Sequence, residues 1–130
     1  MKVAEKTRKE IEEKISGMGD YVKIDYLSSC LKNNIDFDTR KFVLVKLAGL
    51  YDDKKMFLEA GKMMKAAAEI NTTYQNKIAD FTKATESFIK GGYFDDADIA
   101  VKSAVVFANE SQKREIAEKV KEAYKTQAKL

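Results

Sequence analysis

The chain has 130 residues, 45% hydrophobic and 35% charged, with 24 basic against 21 acidic residues and a formal net charge of +3. A single domain over residues 1–130 with a sizeable core fits that length, and so balanced a charge argues against nucleic acid or membrane held by bulk electrostatics. The absence of histidine and the single cysteine exclude histidine-based triads and metal sites, structural zinc, and internal disulfides.

Proline is absent and the six glycines fall at or near expected helix ends, as an all-helical chain requires. The first predicted helix covers Lys2–Ser16, with Val3, Thr7, Ile11 and Ile15 recurring on one face, and Gly17 and Gly19 stop it. The second covers Tyr21–Lys32 with Asp20 as its cap; Ile24, Leu27, Ser28 and Leu31 face inward, and Cys30 reads as a structural thiol among them. Asp36 or Asp38 starts the third, which reaches Asp52. A tight turn at Asp53–Lys54–Lys55 leads into the fourth, which runs to Ile70. Thr72 with Gln75 forms a capping-box pattern for the fifth, ending at Gly91–Gly92. The sixth covers Phe94–Ala108, and Ser111 caps the seventh, which runs to the C-terminus. No stretch alternates with period two, so strands are not expected. Short connections make successive helices antiparallel neighbours.

Two of these segments echo each other. Leu44–Ala67 aligns with Phe81–Ala104 at a shift of about 37 residues, within the range of stacked repeats. Leu44 falls on Phe81, Tyr51 on Phe88, Phe57 on Phe94, Ala60 on Ala97, Met64 on Val101 and Ala67 on Ala104. Extending the echo to Ala117, Val120 and Tyr124 makes the last helix the first half of a further repeat. Tyr21 and Ile24, about two repeat lengths before Phe94 and Ala97, make the first two helices a diverged pair. The total is three helix pairs and one unpaired helix.

These residues resemble the tetratricopeptide repeat and its looser relatives, such as the SNAP-type adaptors. Leu47–Ala48–Tyr51 with Ala60–Met64–Ala67 carries the resemblance in one copy, and Gly92–Tyr93–Phe94, Ala97, Val101 and Ala104 in the next. It covers residues 41–130 and, in weaker form, 1–35. It implies an all-α, right-handed α–α superhelix (a solenoid) of about seven antiparallel helices that binds other proteins and does no chemistry. The spacing is 36–37 where the family has about 34. The inner-face positions that hold lysines and asparagines in carboxylate-clamp members hold Val45, Gly49, Thr82 and Glu86 here.

The expected function is therefore a non-catalytic protein-interaction module or scaffold, with another protein or peptide as partner. One candidate surface is the inner groove of the odd-numbered helices, at Val45, Gly49, Thr82, Glu86, Ile89 and Lys90. The other is the open face of the last helix at Ile116, Val120, Ala123 and Tyr124, which offers a route to self-association. The alternative is a nucleic-acid-binding repeat using Lys54, Lys55, Lys83 and Lys90; with only Arg8, Arg40 and Arg114 as arginines, nucleic acid is the less favoured partner. The acidic pairs Asp52–Asp53 and Asp95–Asp96 read as caps or solvated turn residues. Met64 reads as core, with Met56 and Met63 open. No catalytic site, metal or cofactor is expected. No run of about 18 apolar residues and no apolar leader segment occurs, which with the lone Cys30 predicts a cytoplasmic protein without membrane insertion.

Overall fold

Cap chemistry, with no proline to interrupt it, divides the described residues into seven helices. A computed structural model describes residues 2–129: α1 Arg8–Ile15, α2 Asp20–Cys30, α3 Phe37–Asp53, α4 Phe57–Ile70, α5 Tyr74–Lys90, α6 Phe94–Val106 and α7 Glu110–Ala128. No strand occurs among the described residues. From α2 onward each helix packs on the next: α4 lies between α3 and α5, α5 packs on α6, and α2 and α1 both reach α3. α7 rests mainly on α5 and only slightly on α6.

Several predicted ends move, and side-chain caps explain the starts of α1, α5 and α7. α1 begins at Arg8, not Lys2, because Thr7 and Glu10 form a reciprocal capping box that fixes Thr7 in an extended conformation. Residues 2–6 are non-helical, with Asn33 donating to the Val3 carbonyl at 3.0 Å and the Tyr26 hydroxyl donating to Glu5. Thr73 with Asn76 caps α5 in place of Thr72 with Gln75, and Asn109 with Gln112 caps α7 in place of Ser111. Asp20 lies inside α2, whose cap residue is Gly19. Asp52 and Asp53 end α3 and cap nothing, and α4 has no side-chain cap. Asp95 and Asp96 sit exposed in the first turn of α6.

The echo recurs in the backbone. The caps of α3, α5 and α7 are Asp36, Thr73 and Asn109, spaced 37 and 36 residues. Those of α2, α4 and α6 are Gly19, Met56 and Tyr93, each 37 apart. The turns match as well. Lys55 and Gly92 both take positive φ, 60° and 79°, and each is followed by the same closing bond, Met56 N–H to the Tyr51 carbonyl and Tyr93 N–H to the Phe88 carbonyl, both 2.8 Å. That left-handed residue after a helix satisfies its last carbonyls. Under this shift Cys30, Ala67 and Ala104 coincide, and all three are fully buried. The sequence alignment placed α2 one residue out of this register.

Three connected apolar clusters fill the space between helices. The first joins Ile11, Ile15, Leu27 and Cys30 to Val43 and Leu47; Ser28 and Leu31, expected inside, are half-buried. The second gathers Ala48, Met64, Phe88, Ile89, Ala97 and Ala100. The third holds Ala68, Phe81, Ala104 and Ile116. Met64 is core, Met63 half-buried and Met56 exposed. Burial raises the Cys30 thiol's pKa, and burial together with the Glu5 bond raises that of the Tyr26 phenol, so both stay neutral and unreactive.

The α3 cap carries a pH-dependent prediction. Asp36 accepts from the Thr39 N–H at 2.8 Å, which lowers its carboxyl pKa below the ordinary value. A depressed folded-state pKa stabilises the fold above the unfolded value, and the contribution disappears as pH falls through the lowered value. Asp36→Ala is expected to lower Tm at about pH 7, with the gap to wild type closing as melts are repeated toward pH 2–3.

Candidate functional site

The groove starts from the open side of α3. Val43, Leu44, Leu47, Ala48 and Leu50 turn inward, which leaves Val45, Lys46, Gly49 and Asp53 exposed on the other side and Phe42 half-buried beside them. Here α3 carries a hollow of about 480 Å³, lined by Asp38, Lys41, Phe42, Val45, Lys46, Gly49, Leu50 and Asp53, with Arg8 of α1 at its margin. A second hollow of about 340 Å³ lies between α3 and α5, where Val45, Ala48, Gly49 and Met64 face Lys83, Glu86, Ser87 and Lys90. Val45, Gly49 and Asp53 belong to both, so the two form one groove. A smaller one of about 190 Å³ follows between α5 and α7, at Gln75, Ile78, Thr82, Gln112 and Ile116.

The walls are charged and partly self-paired. The Arg8 guanidinium stacks 4.7 Å from the Phe42 ring centre and bonds Glu12 at 2.7 Å; that bond above all raises its pKa. Lys41 lines the groove, and its ammonium is held by Asn71 and Asp80. Lys90 lies 3.6 Å from Asp52 and 5.9 Å from the Phe57 ring. At that separation no hydrogen bond forms, and the buried Asp52 Oδ1 has no hydrogen-bond partner. Lys54 pairs with Asp20 at 3.1 Å over the Tyr21 ring, and the Asp20 bond raises its pKa.

No protein-family model, curated protein or solved structure matches this chain.

Of the groove residues expected from sequence, Val45, Gly49, Glu86 and Lys90 come together in the hollow between α3 and α5. Thr82 does not join them. It is buried, its hydroxyl donates to the Ile78 carbonyl at 2.7 Å, and it borders the smaller hollow. Ile89 is fully buried with Phe88 and Ala100, because α5 is covered by both α4 and α6 and the position beside Lys90 turns into the core. The open face of α7 is also narrower than expected. Ile116 is buried against Phe81 and Ala104, while Val120 and Ala123 pack on the clusters below, because α7 lies across α5. Tyr124 alone of that set stays 40% exposed, its ring 5.5 Å from that of Phe94.

Sequence reasoning missed Phe42, Lys46, Leu50 and Asp53, which line the hollow on α3. A signal was present: Phe42 precedes Gly49 by seven residues and Lys46 precedes Asp53 by the same interval, so they share the open side with Val45. The four lysines of the nucleic-acid alternative are not one free face. Lys54 and Lys90 stand in ion pairs and Lys55 sits in the α3–α4 turn, which leaves Lys83 as the one of the four that lines the groove without an ion pair among the described residues.

Proposed function

We propose that the chain is a tetratricopeptide-like α-solenoid, a cytoplasmic and non-catalytic interaction module that holds a partner protein along α3 and α5. The observation that carries this reading is the groove itself. Its floor of Phe42, Val45, Gly49 and Leu50 is apolar, its walls carry both signs of charge, and it opens on helices whose caps recur every 36–37 residues. An apolar floor supplies affinity, and rim charges supply orientation. Mixed, partly paired charge suits a protein better than a polyanion, which needs a continuous run of unpaired cations.

The test is site-specific photo-crosslinking in the native host. A crosslinker at Val45 is expected to give a discrete protein adduct, absent when the crosslinker is moved to Lys102 on the outside of α6. Adducts at Lys102 equal to those at Val45 would overturn the reading, as would Val45 adducts that nuclease removes.

A further inference from the structure

Gly49 is unexplained by anything inside the chain. It lies within α3, where glycine is the least favourable residue after proline, yet a Cβ there would meet nothing within 4 Å. By contrast, a Cβ at Gly61 would strike the Phe88 ring. A missing Cβ on an open helix face lets another backbone approach closely, as at the contact points of packed helices. Gly49 occupies such a point, where the hollow on α3 and the hollow between α3 and α5 meet.

Whatever lies there must pair its own backbone groups. The described elements are all helices, so no sheet edge offers a ladder. No Asn or Gln lines either hollow, so the amides able to pair both N–H and C=O of an extended peptide are missing. An extended segment would press unpaired polar groups on an apolar floor, whereas a helix brings them already bonded. The rims add direction. Asp53 on α3 and Lys83 on α5 are exposed and form no ion pair within 4.0 Å among the described residues.

We infer that the groove receives an amphipathic α-helix of a partner protein. A small residue of that helix seats on Gly49, a basic residue faces Asp53 and an acidic one faces Lys83. This rests on the protein-binding reading above. The probes are two displayed peptide libraries of about 18 residues, one patterned as an amphipathic helix and one with interspersed prolines that forbid helix. The helical library is expected to yield binders that gain helical circular dichroism on binding. Gly49→Leu should weaken them at least ~10-fold, and Lys83→Glu should reverse the facing charge preference from acidic to basic. Lys102→Glu should leave affinity unchanged. Gly49→Ala separates binding from folding: it should raise Tm by roughly 3 °C while weakening the same peptides. Binders from the proline library alone overturn the helical occupant, and so do helical binders indifferent to Gly49→Leu, or no binder from either library. Crosslinking at Val45 decides the broader reading independently in each case.

Discussion

Phe88→Ala is expected to lower stability by about 3–5 kcal/mol in urea unfolding. Phe88 is 2% exposed and sits where α4, α5 and α6 meet, touching the cluster of Met64, Ala84, Ala97 and Ala100. Most of its neighbours there are alanines and a glycine, side chains too short to collapse into the space, and only Met64 among those named is long enough to relax into it, so the cavity term should stay large. The same ring explains Gly61. A Cβ built there would lie 2.5 Å from Phe88 Cδ1 and 2.8 Å from Cζ. Alanine at 61 would gain about 1 kcal/mol of helix propensity and lose about 1–3 kcal/mol to overpacking. Gly61→Ala should therefore destabilise the wild type by up to about 2 kcal/mol. In a Phe88→Leu background the clash is relieved and the propensity gain should surface, so the same substitution becomes neutral or stabilising. A double-mutant cycle reads this as a coupling of about 1–3 kcal/mol. Gly61→Ala stabilising both backgrounds equally would mean that the ring and helix α4 are not in contact.

The reach of the sequence can be judged from such positions. Of the residues the echo pairs, Leu44, Ala60, Met64, Ala67, Phe81, Phe88, Ala97 and Ala104 are buried, because helical periodicity reports which side of a helix meets others, while Tyr51, Phe57 and Val101 are half-buried and Phe94 is exposed. The echo did less well where one helix meets two neighbours at once. Ile89 belongs to a helix covered by both α4 and α6, and Ile116 to a helix laid across α5, arrangements that no single-helix pattern encodes. Helix starts failed where two cap signals compete within one or two residues. Thr72–Gln75 and Thr73–Asn76 are nearly equal as local chemistry, and the fold selects the second. At α1 the stronger local signal, Thr7 with Glu10, lay inside the periodic stretch and was overridden by it. In the groove, Val45 and Gly49 were legible as residues wasted on a core. The polar cluster at Lys41 was not, because Lys41, Asn71 and Asp80 meet only after α3 and α5 are in place.

That cluster carries the second large effect. The Lys41 ammonium bonds the Asp80 carboxylate and Asn71 Oδ1, the latter at 2.7 Å, while Asn71 Nδ2 donates to Asp80 at 2.7 Å and to the Asn76 carbonyl at 3.0 Å. Asn71 is 3% exposed, and the Lys41 and Asp80 side chains are 25% and 15% exposed. The pair thus lies between a solvated bridge, worth about 0–1 kcal/mol, and a fully buried one, whose breaking costs about 3–5 kcal/mol. Asp80→Ala strips a charge from Lys41 and an acceptor from Asn71 together, and should cost about 2–3 kcal/mol. Asp80→Asn keeps the shape and one acceptor and should cost less. Replacing both charges, Lys41→Met with Asp80→Leu, should recover most of the loss, because no unpaired ion is left behind. Salt distinguishes this from a surface effect: the Asp80→Ala penalty should change little between about 0.1 and 1 M NaCl, whereas a solvated bridge would be screened away. Lys41 also lines the larger hollow beside Phe42 and Val45. Loss of its anchor frees a long cationic side chain next to the floor, so Asp80→Ala should weaken groove ligands as well as the fold, and the double replacement should restore stability without restoring a charged wall.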